Sequence, residues 1–303
     1  MGKLKQMLIS GVLLACVVVL GALPAGAMGH YPPGGEGVRA ATVPPPGFHY
    51  RTYGVFVNSD KLMDNNGDEM KIGFDLNKFV WVNRFVYITD VKILGADFGV
   101  HVLIPTANTN IEIAAAGIDE SHCGLGDIVV EPFVLGWHGA RYDGSFALAV
   151  VLPTGDYDTD NPASPGLGYW TGLLTFGGTY YFDDARTWSA SLLNRLTWNS
   201  VQEDTNITPG VEWVAEWGVG KDLKASDSLI ITPGVRGHVY MQLSEDDGAN
   251  ATDNLSRAFG IGPEINFFWL THLLQINFAF VQDFGVENEA ECQQFVVTVT
   301  KSF

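Results

Sequence analysis

The sequence predicts an all-β chain, a transmembrane antiparallel up-and-down β-barrel of about twelve strands. Three observations carry that expectation. Short runs alternate between apolar and polar residues from about residue 48 onward, the connections between them alternate in length, and the last run ends on Phe303. Glycine is abundant at 35 residues and aromatics make up 12%, which suits short strands better than helices. After residue 27 no run reaches the roughly 18 apolar residues that a membrane helix needs.

Residues 1–27 read as a secretory signal peptide. Lys3 and Lys5 give a basic start, an apolar run extends from Met7 to Leu23, Pro24 breaks it, and Ala25-Gly26-Ala27 supplies a small-residue cleavage pattern. The mature chain is expected to begin near Met28. An anchor helix is the weaker reading, because no basic stop-transfer cluster follows. A lipoprotein signal at Leu13-Leu14-Ala15-Cys16 is a further alternative. Residues 28–47 are rich in Pro and Gly, as in Pro32-Pro33-Gly34-Gly35 and Pro44-Pro45-Pro46-Gly47, so neither a helix nor a central strand is expected. This segment is a tether or a piece of chain tucked into the lumen.

The barrel is expected over 48–303. Its clearest strands put Phe146, Leu148, Val150 and Leu152 outward with Ala147 and Ala149 inward. They also put Trp170, Leu174, Phe176, Tyr180 and Phe182 outward. Residues 207–219 place Val211, Trp213, Trp217 and Val219 outward and Glu212 and Glu216 inward. Residues 229–243 place Val235, Val239 and Met241 outward and Arg236 and His238 inward, and 274–284 place Ile276, Phe278 and Phe280 outward. Further strands are expected near 48–58, 72–90, 96–105, 126–137, 187–199, 255–268 and 293–303. The one near 72–90 has no clean alternation to set its register. In the last, Phe295, Val297, Val299 and Phe303 share one face, and Lys301 interrupts it near the end.

Long connections are expected near 59–70, 106–124, 153–168, 199–207, 244–254 and 285–292, and short ones near 90–95, 138–144, 183–187, 221–227 and 269–272. Strict alternation of length is the signature of a barrel with both termini on the inner side of the membrane, and a soluble sandwich has no reason for it. Acidic residues such as Asp64, Asp158, Glu203 and Asp246 gather in the long loops. The short turns hold Lys92, Arg141, Arg186, Lys221 and Lys224. Trp137, Tyr169, Trp170, Trp188, Trp198 and Trp269 fall near strand ends, where interfacial girdles form. The net charge of −17 excludes nucleic acid as a partner, since phosphate contacts need a basic surface. Cys123 and Cys292 lie on the predicted outer side and are expected to form a disulfide in an oxidising compartment.

Several segments carry a resemblance. They are Gly29-His30-Tyr31-Pro32-Pro33-Gly34, Pro44-Pro45-Pro46-Gly47-Phe48, Gly124-Leu125-Gly126-Asp127, Pro132 to His138, Leu152 to Asp158, and Gly168-Tyr169-Trp170. In this order they resemble the family named for a putative meta-pathway of phenol degradation, whose members are described as outer-membrane transporters. The resemblance implies a bacterial outer-membrane barrel related in role to channels for hydrophobic compounds. It implies no catalytic residues.

In a barrel the inward face sets selectivity. Alternation puts His49, Arg51, His101, Arg195, Glu212, Glu216, Arg236, His238 and Glu264 inside, as a polar solute path or as charges that pair and fill the lumen. The expected function is passive uptake of small hydrophobic or aromatic compounds. A structural or adhesive barrel is the alternative, and a lipid hydrolase is disfavoured because the chain has no Gly-x-Ser-x-Gly. No cofactor or metal is expected: the Asp156 to Asp160 loop lacks the Gly and distant Glu of a calcium loop, and His122 with Cys123 is too sparse for zinc. The expected partners are outer-membrane lipid and lipopolysaccharide, a small-molecule solute, and the barrel-assembly machinery through the strand ending at Phe303.

Overall fold

A strand in hydrocarbon must pair its backbone on both sides, because no water is present to satisfy it. The computed structural model, which describes residues 29–249 and 251–303, meets that demand with a closed antiparallel sheet. The expected signal segment and its alternatives lie outside the described residues. The chain runs through β1 (Gly47–Ser59), β2 (Phe74–Ile93), β3 (Ala96–Ile113), β4 (Ile118–Leu125), β5 (Ile128–His138), β6 (Tyr142–Leu152) and β7 (Thr171–Tyr181). It continues through β8 (Trp188–Asn199), β9 (Glu212–Lys221), β10 (Leu223–Lys224), β11 (Leu229–Gln242), β12 (Arg257–Trp269), β13 (Leu274–Glu287) and β14 (Gln293–Ser302).

Twelve of these form the barrel. Each pairs with its neighbours in sequence, except that β4 and β10 are passed over, so that β3 pairs β5 and β9 pairs β11. Closure comes from β1 against β14, in register from His49 with Ser302 to Asn58 with Gln293. The two remaining strands are extensions at the rim: β4 folds back on β3, and β10 adds two residues to β11. One end of the barrel carries the short connections, among them the two-residue turn Leu94-Gly95, with φ of 52° and 79°. The other end carries the long ones.

The alternation read from sequence is the alternation observed. Phe280, Phe295, Phe56 and Phe79 stand side by side on β13, β14, β1 and β2, all exposed on the outer face. Between them and inward lie Val281, Val296 and Thr298, all buried. Polar atoms on the outer face are satisfied there: Trp81 Nε1 donates to Thr52 Oγ1 at 2.7 Å and the Tyr50 hydroxyl donates to Asn83 Oδ1 at 2.5 Å. Lys301 reaches past the rim and donates to the carbonyl oxygen of His272. β2 has an alternating face after all, with Trp81, Phe85 and Tyr87 outward and Val86 and Ile88 inward.

Four expectations are corrected. The stretch 106–124 is not a loop: β3 runs on to Ile113, and β4 returns along it as a protruding hairpin. Ile111, Ile113 and Ile118 on that hairpin join Leu62, Phe74 and Ala290 in an apolar cluster at the rim, which gives the hairpin a reason to be ordered. The strand expected to start at 207 begins at Glu212, because 207–211 is drawn into loop pairing with Ser244 and Asp247. Tyr169 is buried and turned inward, away from the girdle, whereas Trp170, Trp188 and Trp198 are exposed as expected. Cys123 and Cys292 are free thiols: the first is exposed on β4, the second is buried in the rim cluster, and no bridge joins them.

Candidate functional site: the lumen and the segment inside it

Inward side chains of a narrow barrel meet one another, so charges there must be paired or hydrated. The structure turns all nine residues expected inside toward the lumen, and all but Arg51 are buried. Their partners come largely from residues 29–46, which leave the start of β1 at the short-connection end and run along the inside of the barrel. Proline and glycine leave this segment without sheet pairing, so its backbone polar groups are met by side chains of the wall.

Near the short-connection end, His49 Nε2 donates to the carbonyl oxygen of Pro45 at 2.8 Å, while Nδ1 meets Ser302 Oγ at 2.7 Å. Thr42 Oγ1 donates to Asp143 Oδ2 at 3.0 Å, and Arg39 pairs with Asp222 at 2.7 Å. Val43 packs with Val86, Ile88, Val134 and Ala147, an apolar layer where β2, β5 and β6 face the segment.

At mid-height, Glu36 is held between Arg51 at 3.0 Å and Arg84 at 3.2 Å and accepts from the Tyr53 hydroxyl at 2.9 Å. Arg84 continues to Glu131 at 3.0 Å, which His101 also meets at 2.6 Å. Opposite, the Glu216 carboxylate accepts from Arg195 at 2.5 Å, from the Tyr31 hydroxyl at 2.6 Å, and from the backbone N–H groups of Gly34 and Glu36. Arg195 lies 4.0 Å over the Tyr31 ring. Arg236 donates to the carbonyl oxygens of Gly34 and Glu36, and Glu264 accepts from Val38 N at 3.0 Å. Gly218 lets the segment lie against β9 at this crossing, since a Cβ there would lie 2.4 Å from Val38 N and 2.5 Å from the carbonyl carbon of Gly37. His238 and Asp283 form a separate, fully buried pair at 3.2 Å that the segment does not touch.

At the long-loop end, Glu212 accepts from Gly29 N at 3.0 Å and from the Tyr240 hydroxyl at 2.9 Å. His30 is held by both ring nitrogens. Nε2 donates to Asp127 Oδ2 at 2.8 Å and Nδ1 meets Thr171 Oγ1 at 2.7 Å, while the ring stands edge-on to Tyr169, 4.6 Å between centroids. Asp127 is fixed from behind by the N–H groups of Gly155 at 2.8 Å and Leu167 at 2.7 Å. Burial alone would push the Asp127 carboxyl up; the hydrogen bonds from His30 and these two amides outweigh it and hold it below the usual carboxylate range. Gly155 lets the loops close, because a Cβ on it would sit 2.8 Å from the backbone of both Gly126 and Gly166. Segments far apart in sequence, around Gly29, Gly124, Gly155 and Gly168, thus meet at one place.

Sequence reasoning missed Glu36, Arg84, Glu131, Asp127 and Asp283. Glu131 lies within a register shift between Val130 and Phe133, where Pro132 breaks the ladder, so its parity is hidden. Glu36 lies in a segment with no periodicity to read. The signal for Asp127 was present in the Gly124-Leu125-Gly126-Asp127 motif.

Residues 59–299 match the family described as the putative MetA-pathway of phenol degradation. The chain belongs to that family. Among solved structures it is similar to the COG4313 outer membrane channel from Pseudomonas putida F1, at 16% identity and a TM-score of 0.75, covering 87% of this chain and 97% of that one. It is also similar to the beta domain of the Bordetella autotransporter Brka, at 12% identity and a TM-score of 0.52, covering 85% and 99%. These likenesses concern the fold. No curated protein sequence matches significantly. With a closed sheet, an apolar aromatic exterior and a charged interior, this family member is an outer-membrane barrel.

Proposed function

We propose that the barrel is a passive channel for small aromatic or other hydrophobic compounds, and that residues 29–46 are its gate. The observation that carries the reading is the way this segment is held. It crosses the lumen on hydrogen bonds and ion pairs to wall residues, and no strand pairs with its backbone. Such a segment can leave as a unit while the twelve-strand ladder stays closed. The inner face of β6 and β7 beside it carries Ala149, Val151 and Leu173, an apolar stripe along which a ring can slide. The similar structure from Pseudomonas putida is itself an outer membrane channel, and the family description names phenol degradation; both agree with this assignment.

Planar-bilayer and liposome-uptake measurements on the purified barrel test it. Deleting residues 30–46 is expected to raise conductance and phenol uptake. Unchanged conductance would remove the gate. Absence of solute passage in both proteins would remove the channel.

A further inference from the structure

We propose that Asp127, Thr171 and Tyr169 form a binding subsite for a small phenol, occupied at rest by the side chain of His30. The subsite is built without the segment that fills it. Asp127 is oriented by backbone amides of the 153–170 loop, Thr171 opens β7 and donates to Asn199 Oδ1 at 2.6 Å, and Tyr169 is buried just before it. Asn199 is oriented in turn, since its amide nitrogen donates to the carbonyl oxygens of Pro209 and Gly210. Asp127 and Thr171 keep these anchors when His30 is withdrawn.

What His30 presents to this cradle is a flat ring and a hydrogen-bond donor for Asp127, while its other ring nitrogen meets Thr171 Oγ1, whose own proton goes to Asn199. Its side chain is 4% exposed, its donor meets a carboxylate that is 3% exposed, and its ring meets the Tyr169 ring. A phenol has the same two features: an aromatic ring for Tyr169 and an O–H that donates to Asp127. Withdrawing His30 with nothing in its place would leave a buried carboxylate short of a donor beside an empty aromatic face, which is costly. Benzene would offer the ring without the donor, and cyclohexanol the donor without the ring. A phenol that takes the place of His30 would release the tip of residues 29–46 as it binds, which couples the solute to the opening of its own path. That coupling rests on the channel reading above; the binding does not.

Calorimetric titration of phenol into the purified full barrel, wild type and His30→Ala, tests the subsite. His30→Ala is expected to bind phenol about tenfold more tightly, the size expected for one hydrogen bond to a charged group. Imidazole should compete with phenol in that variant, and benzene and cyclohexanol should bind more weakly than phenol. Adding Asp127→Asn should reverse the gain. If that double variant loses the compact, heat-modifiable band of the folded barrel, Tyr169→Leu in the His30→Ala background takes its place, with the same loss expected. Phenol affinity that is equal in wild type and His30→Ala, or indifferent to both Asp127 and Tyr169, overturns the subsite. Phenol uptake into liposomes by the same variants separates the two readings. Binding without uptake in any variant overturns the channel and leaves the subsite. Uptake that rises with no change in binding overturns the subsite and leaves the channel.

Discussion

At the residue scale, the lumen is governed by the cost of unpaired charge. Glu216 is fully buried and answers Arg195, Tyr31 and two backbone amides at once. Glu216→Gln strands the Arg195 guanidinium, and the expected loss is about 3–5 kcal/mol, read as a lower urea midpoint in detergent. Asp127 gives a pH dependence. Its carboxyl is held below the ordinary value of about 3.9 in the folded protein, so its contribution is complete above that pH and is lost as pH falls through the folded value. Hydrogen exchange should show the Gly155 and Leu167 amides keeping their protection through the ordinary carboxylate range and losing it only as pH falls through the lowered folded value. The cysteines are expected to differ in reactivity. Burial, with Asp283 nearby, pushes the Cys292 thiol up, whereas Cys123 is exposed. A maleimide should label Cys123 in the folded barrel and Cys292 only after unfolding, and reduction should leave the mass unchanged.

At the scale of the element, the strands do two jobs with a period of two residues. On β6, Leu148 is exposed on the outer face at the middle of the strand, and Ala149 beside it is buried inside. Leu148→Arg places a charge in hydrocarbon and is expected to cost about 2–4 kcal/mol in lipid. Ala149→Ser should leave the unfolding midpoint nearly unchanged. The β3–β4 hairpin shows where period alone misleads. Its Thr-Ala-Asn-Thr-Asn stretch, 106–110, reads as loop because its outward residues Thr106, Asn108 and Asn110 are polar. It is strand because it stands above the lipid, with Ile111 and Ile113 packed on the rim cluster.

At the scale of the whole molecule, closure is independent of what fills the lumen. Every barrel strand pairs on both sides with another strand, so the ladder does not need residues 29–46. The barrel lacking 30–46 is therefore expected to remain folded and heat-modifiable. Its midpoint should be lower, because Arg51, Arg84 and Arg195 each lose a partner, Glu36 or Tyr31, and take up water. The same deletion that raises conductance should thus lower stability without abolishing assembly.

The alternation of faces was legible in the chain because strand geometry maps side chains to faces residue by residue, whatever the neighbouring strand is. The inward positions of Arg195, Glu216, Arg236 and Glu264 followed from that local rule alone. What the folded molecule alone decided was pairing across the lumen: Glu36 with Arg51 and Arg84, Glu216 with Tyr31, His30 with Asp127. Those contacts join residues separated by up to 185 positions through an aperiodic segment, and no periodicity in sequence encodes which wall such a segment will lie against.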